Sequence, residues 1–226
     1  MFQDLINIFY PNICQICDTE LHKNQNILCT RCVNELPITN FHLDNDNPVL
    51  KVFYGRVPIE NATSLLAFKK KGSVQKLIHR LKYRGHQEIG AYLGAWTGAE
   101  IVKSDSFKNI DLVIPVPLHK KKLKARGFNQ VEKFGKEIAS ALKIDYEDDV
   151  LLKTSFSNTQ TLKTRFARWG NIEESFVLVN SEKIKNKHIL LVDDLITTGA
   201  TLEACADVLL EAENVKISIA TMAFTA

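Results

Sequence analysis

No stretch of this chain reaches the run of about 18 apolar residues that a membrane-spanning helix needs, so no membrane span is expected. The opening residues, Met1-Phe-Gln-Asp-Leu-Ile-Asn-Ile-Phe-Tyr10, lack a basic leader and carry Asp4, which argues against a secretory signal. Phe2, Leu5, Ile6 and Phe9 follow helical spacing instead. These features together point to the cytoplasm. No G-x-x-x-x-G-K-[ST] sequence occurs, which excludes a Walker loop as the source of any phosphate binding.

Acid is scarce in two places. Leu66–His86 holds seven Lys/Arg residues and no carboxylate, and His119–Lys136 holds another seven against the single Glu132. The net charge of +3 says little by itself. Its distribution predicts an electropositive region suited to phosphates or nucleic acid. Each run taken alone reads equally well as a solvated face. At 226 residues, 45% hydrophobic and 24% charged, the chain has room for one α/β domain and a small appendage.

Four of the five cysteines cluster as Cys14-Gln-Ile-Cys17 and Cys29-Thr-Arg-Cys32. Two C-x-x-C pairs on facing turns suit tetrahedral thiolate ligation, and the expectation is one structural zinc held by Cys14, Cys17, Cys29 and Cys32. Disulfides fit poorly with a chain that shows no export signal. A redox role suits one pair and is strained for both. With four sulfurs as ligands no position is left open for catalysis. His22 in the intervening loop reads as a surface residue, and Cys205 as a small core side chain.

The chain is organised around His188-Ile-Leu-Leu-Val-Asp-Asp-Leu-Ile-Thr-Thr-Gly-Ala-Thr201. Ile189–Val192 reads as a strand buried on both faces. Asp193 and Asp194 stand where it should end, and Leu202, Ala206, Leu209 and Leu210 trace the helix that follows. Backbone N–H groups of the turn Thr197, Thr198, Gly199, Ala200 and Thr201 can hold a phosphate, and Gly199 lets the backbone approach it. The two carboxylates can accept from sugar hydroxyls or help hold magnesium. An ordinary capping turn with Thr198 as cap is the plainer alternative. Adjacent carboxylates without a basic neighbour in sequence weigh against it.

His42–Pro48 is polar and turn-rich. It sets the boundaries 1–41 for an N-terminal helix and cysteine ribbon, 42–50 for a linker, and 51–226 for the main domain. Val52–Val57 and Ser64–Phe68 read as strands paired around a Pro58–Asn61 turn. Val74, Leu77, Ile78 and Leu81 trace an amphipathic helix, and Gly90, Gly94 and Gly98 give the next one a bare face for close packing. Ile110–Pro117 reads as a second buried strand entering a stiff turn. Asn129 with Glu132 resembles a capping box, opening a helix with Val131, Phe134, Ile138 and Leu142 inward. Phe176–Val179 and an alternating strand with Val215, Ile217 and Ile219 complete a parallel α/β sheet. In such sheets ligands sit outside the carboxyl ends of the strands. The Pro115–Pro117 and Asp193–Thr201 turns both lie there.

The Asp193–Thr201 segment resembles the phosphoribosyl pyrophosphate signature of type I phosphoribosyltransferases. The whole chain resembles the ComF family, bacterial proteins with an N-terminal zinc ribbon and a phosphoribosyltransferase-like domain, associated with competence for DNA uptake. The likeness runs through the four cysteines, Leu77-Ile-His-Arg-Leu-Lys-Tyr-Arg-Gly85, Ile114-Pro-Val-Pro-Leu-His119, Arg126-Gly-Phe-Asn-Gln130, Gln160, Arg168, Asn171 and the acidic signature. It implies a type I phosphoribosyltransferase fold with a mainly parallel sheet. Asp193 and Asp194 would meet the ribose, Thr197–Thr201 the 5′-phosphate, and Pro115, Val116 and Pro117 would lie near the pyrophosphate with its magnesium. The family's usual glycine after the helix at Leu210 is replaced by Glu211-Ala-Glu-Asn214, where Asn214 can adopt the left-handed conformation. A glutamine-dependent amidotransferase is not expected, because the first cysteine is Cys14, already part of a metal pair.

Two functions remain open from these residues. One is handling of single-stranded DNA in transformation. Lys82, Arg84, Lys120, Lys121, Lys122, Lys124 and Arg126 would track the backbone, while Tyr83, Phe128 or Trp169 would stack bases. The resemblance adds other competence proteins, such as a helicase, as partners. The other is phosphoribosyl transfer to a nitrogenous base or amine, with magnesium and the cations Lys82, Arg84 and Arg126 as candidates to meet the leaving-group charge, and Asp193 and Asp194 as further candidates at the reacting centre. No acceptor pocket or general base is identifiable.

Overall fold

A computed structural model describes residues 11–22, 24–155 and 174–225. The N-terminal helical spacing of Phe2 to Phe9, together with Gln160, Arg168, Trp169 and Asn171, lies outside the described residues. Five strands form one sheet in the order β1-β7-β6-β2-β3, every pairing parallel. They are β1 (Ala62–Phe68), β2 (Leu112–Pro115), β3 (Asp145–Tyr146), β6 (His188–Ile196) and β7 (Lys216–Thr225). The central strand β6 runs to Ile196, past the acidic pair that was expected to end it. Apolar residues cover the sheet on both sides, as a parallel sheet between helices demands. Leu190 and Val192 enter one core cluster, while Ile189 and Leu191 enter the other.

Between Gly72 and Arg84 no proline or acid interrupts the helical pattern, and helix α3 (Ser73–Tyr83) buries the four residues that pattern selects, Val74, Leu77, Ile78 and Leu81. Helix α4 (Gln87–Ile101) lies against α6 (Glu132–Leu142) through its glycine face. A methyl group at Gly94 would stand 2.5 Å from the carbonyl oxygen of Phe134, so the two backbones approach as no other residue there permits.

Three local expectations fail for identifiable reasons. Val52–Val57 is not a strand. Asn47 accepts from the N–H groups of Val49 and Leu50, Pro48 takes the first helical position, and the short helix α2 (Pro48–Lys51) starts there. The turns that follow bury Phe53 and Val57, so β1 pairs with β7 rather than with this segment. The polar stretch 42–50 is itself packed, since Asn47 is buried and donates to the Ala62 carbonyl at 2.8 Å. The expected capping box is absent too. Asn129 Oδ1 accepts from Val131 N at 3.3 Å rather than from Glu132 N, its amide donates to Val116 O at 3.0 Å, and Glu132 pairs with Lys136 at 2.6 Å instead of reaching back.

The strand predicted at Phe176–Val179 forms as β5 (Glu174–Leu178), but it pairs antiparallel with β4 (Leu151–Ser155) in a separate two-stranded sheet. Strand β7 is buried from Ile217 to Phe224 rather than alternating, because helices cover both its faces. Asn214 holds φ +52, the left-handed turn its side chain tolerates.

The ribbon is continuous with the main core. Ile16, Leu21, Ile27 and Leu28 belong to the same cluster as Leu77, Ile78 and Leu81. Lys76 donates to the Ile16 carbonyl at 3.2 Å, and Arg80 pairs with Asp18 at 2.5 Å, so α3 carries the ribbon on its outer side. None of the described helices is long and apolar enough to cross a membrane.

Candidate functional site

Helix α7 (Ala200–Leu209) begins immediately after the turn that closes β6. Gly199 stands at its N-cap with φ +76, a conformation that side-chain-bearing residues avoid. Thr198 is not the cap in the usual sense. Its hydroxyl accepts only from Ala200 N, at 3.4 Å. Thr197, Thr198, Ala200 and Thr201 are exposed, and with Asp193 they line a cradle of about 40 Å³ at the helix N-terminus. N–H groups and hydroxyls converging at the positive end of a helix dipole suit an anion.

Strand alternation sends the two carboxylates to opposite faces. Asp193 faces α7 and the β4–β5 hairpin, close enough to Cys205 and Lys153 for their charges to matter. Burial, followed by the charge of Asp194, pushes the Asp193 carboxyl up to about 7. Asp194 faces α3 and is 4% exposed. Its Oδ1 accepts from Lys82 Nζ at 2.7 Å. The acidic pair thus has its basic partner after all, 112 residues away in sequence. Register sets the neighbouring turn in place: Pro115 lies opposite Val192, and Val116 N donates to Val192 O at 2.9 Å. The Pro115–Pro117 turn therefore stands beside the acidic pair, at the carboxyl end of the sheet.

Two residues here left no trace in the sequence pattern. Arg56 donates to the carbonyls of Val52 (3.0 Å) and Thr198 (2.8 Å) and pairs with Glu203 of α7, tying the phosphate-type turn to the α2 segment. Lys153 reaches the Asp193 face because the antiparallel hairpin folds over α7. Neither sits in a recognisable motif, and only the fold brings them in. Cys205 is fully buried among apolar neighbours, and burial pushes its thiol well up.

The two basic runs meet. Lys82, Tyr83 and Gly85 from the first, with Lys122, Ala125 and Arg126 from the second and Leu118 just before it, line a groove of about 510 Å³. Tyr83 is 69% exposed, with the His79 ring 4.9 Å and the Arg126 guanidinium 5.6 Å from its centroid. Phe128 lines the groove but is buried. Arg84 lies instead in an adjoining cleft of about 480 Å³, between α3 and the ribbon. Lys120, Lys121 and Lys124 are exposed on α5 (Lys120–Arg126) without lining either cavity.

At the other end of α3, the thiol sulfurs of Cys14, Cys17, Cys29 and Cys32 all lie within 4.8 Å of one another, with Cys17 and Cys29 at 3.7 Å. Metal–sulfur bonds of ~2.3 Å in a tetrahedron put sulfurs ~3.8 Å apart, so the four are placed to bind a metal ion. Cys29 is the N-cap of α1 (Thr30–Asn34), which sets Cys32 one turn into the helix. Hydrogen bonding to Thr19 lowers the Cys17 thiol to about 6, toward the thiolate that a metal requires. His22 is exposed and stands apart from the cluster.

Known proteins resemble this chain over much of its length. Residues 132–226 match the phosphoribosyl transferase domain family. A DNA utilization protein YhgH of Escherichia coli O157:H7 is 26% identical over 201 residues, covering 88% of this chain and 84% of that protein. Competence protein ComFC of Streptococcus pneumoniae is 30% identical over 145 residues, 64% of this chain and 60% of that one. Competence protein F of Haemophilus influenzae is 28% identical over 108 residues, 47% of each chain. Among solved structures, a hypoxanthine phosphoribosyltransferase from Staphylococcus aureus aligns at 19% identity over 60% of this chain and 62% of that one, with a TM-score of 0.36. The chain is homologous to proteins named for DNA utilization and competence, and it carries a phosphoribosyltransferase-type domain behind four cysteines placed to bind a metal.

Proposed function

We propose that this protein binds phosphoribosyl pyrophosphate with magnesium at the Asp193–Thr201 turn and handles single-stranded DNA along the adjoining basic groove, in the cytoplasm, during DNA uptake or use. The observation that carries the reading is convergence: two acid-poor runs far apart in sequence share one groove, and Lys82 in that groove is also bonded to the acidic pair. Thr197–Thr201 would cradle the 5′-phosphate, Asp193 and Asp194 would accept from the ribose hydroxyls, and the Pro115–Pro117 turn would flank the pyrophosphate. Lys122 and Arg126 would meet DNA phosphates, and the exposed Tyr83 ring would stack a base. The four cysteines would hold a structural zinc.

Titration calorimetry with phosphoribosyl pyrophosphate and magnesium tests the first half. Binding to wild type and its loss in Asp193→Asn plus Asp194→Asn are expected. Undiminished binding in the double variant would place the sugar elsewhere. Fluorescence anisotropy with an oligothymidine across salt concentrations tests the second half. A strand neutralising about five phosphates gives a slope of log affinity against log salt near −3.5. Absence of binding at low salt would return the groove to ordinary surface. The second reading, turnover, is favoured by the family match over residues 132–226. It predicts pyrophosphate release when a nitrogenous base is supplied.

A further inference from the structure

The ammonium of Lys82 belongs to two surfaces at once. Its Nζ lies 2.7 Å from Asp194 Oδ1, and the same side chain lines the groove that holds Lys122 and Arg126. The pair is enclosed, with side-chain exposures of 22% for Lys82 and 6% for Asp194. We infer that Lys82 couples the two sites, so that a sugar phosphate in the turn strengthens binding of a single-stranded nucleic acid in the groove, and the reverse. This rests on the reading above and adds to it the sign and the residue of the communication.

The argument turns on what Asp194 needs. A buried carboxylate without a donor is strongly unfavourable. In this structure Lys82 supplies that donor, and while it does, its charge is largely neutralised toward the groove. A nucleic-acid phosphate that draws Lys82 away leaves Asp194 without its partner. Sugar hydroxyls are donors of the right kind to replace the ammonium on that carboxylate. With the sugar in place, Lys82 can turn to the groove without stranding a buried charge. Linkage then requires that each ligand tighten the other by the same factor.

Ribose 5-phosphate is the cleaner probe, because it carries the hydroxyls and the turn-binding phosphate without a pyrophosphate to compete for Lys82. Oligothymidine affinity should rise by about ten-fold at saturating ribose 5-phosphate, within the usual range of coupling between sites. Calorimetry should find ribose 5-phosphate tightened by the same factor when the oligonucleotide is present. Lys82→Met should abolish the factor, whatever it does to the affinity of each ligand alone. Lys82→Arg, which keeps the charge and tolerates the pair, should shrink the factor below about three-fold, because a bidentate guanidinium grips the carboxylate more firmly. Both ligands binding wild type with no mutual effect, or with mutual weakening, would overturn the coupling and leave the proposed function standing. A factor unchanged in Lys82→Arg, or surviving in Lys82→Met, would remove Lys82 from the role. Failure of ribose 5-phosphate to bind wild type alone would overturn the coupling, and failure of the oligonucleotide to bind would overturn the proposed function and the coupling with it.

Discussion

The cysteine ribbon and the sugar-phosphate turn are both short motifs, yet they are completed in opposite ways. All four sulfurs of the ribbon come from residues 14–32, and local turns suffice to bring them within 4.8 Å of one another. The turn at 193–201 is held from outside its own segment. Lys82 neutralises Asp194, Arg56 grips the Thr198 carbonyl, and Val52 and Phe53 press on Gly199. A ligand set that closes within one loop can be read from spacing. A site whose electrostatics come from other elements shows only its own half in the sequence.

The sharpest break in this comparison comes from the ribbon. Cys14→Ser or Cys32→Ser should remove the metal and unfold residues 11–36, because structural zinc supplies roughly 10–16 kcal/mol of apparent binding energy in small modules. Metal analysis and hydrogen exchange would check it. Retained metal would mean that three sulfurs suffice to hold it, and unchanged protection in 11–36 with the metal gone would mean that packing on α3 holds the ribbon without it. The main sheet should persist in either variant.

Lys82→Met should come next, destabilising the fold by about 3–5 kcal/mol, the range for leaving one member of a buried ion pair alone. Adding Asp194→Asn should recover most of that loss, since both charges are then gone. Urea denaturation of the single and double variants measures it. Equal stabilities for wild type and Lys82→Met would mean that solvent reaches Asp194 more freely than its 4% exposure implies.

Gly199→Ala should cost about 1–3 kcal/mol from backbone strain at φ +76. A further penalty should come from the new methyl group, which would stand 2.5 Å from Val52 Cγ1. Val52→Ala in the same chain should relieve the clash and leave the strain. Thermal melts of the four variants form a cycle that separates the two. Full recovery in the double variant would show that the left-handed conformation is not what demands glycine there.

The smallest effects are those of pH, and they have opposite signs at the two ends of β6. Burial lowers His188, which bonds Ser218 Oγ at 2.9 Å, so its contribution is present above its unfolded value near 6.5 and is lost as the pH falls through its lower folded value. Asp193 is raised from 3.8 to about 7, so its contribution is complete below about 3.8 and is lost as the pH rises through about 7. Asp193→Asn should flatten the decline of Tm between pH 4 and 7, and His188→Gln the rise of Tm that wild type shows below pH 6.5. Parallel pH profiles for wild type and either variant would remove that group from the account.

Much of the framework was legible because periodicity and composition act locally. Val74, Leu77, Ile78 and Leu81 recur at the helical period, and α3 buries those four. The glycines at 90, 94 and 98 announced a close helix contact, and α6 fills it. Val52–Val57 misled because a short apolar run carries no period that separates strand from helix. Asn47 and Pro48 decided it through the cap. Asn129 misled because its side-chain oxygen accepts from Val131 N, one residue short of the Glu132 N–H that a capping box needs, while its amide donates to the Val116 carbonyl on a turn brought beside it only by folding.

By itself the sequence determined the parallel sheet, the four-sulfur cluster and the turn with its two carboxylates, each specified by residues adjacent along the chain. Tertiary structure alone decided that Asp193 and Asp194 face opposite sides of β6, that Lys82 meets one of them, and that the two basic runs share a groove. The reason is physical. Alternation along a strand separates neighbours by which face they enter, and what lies beyond each face is set by chain that arrives from far away.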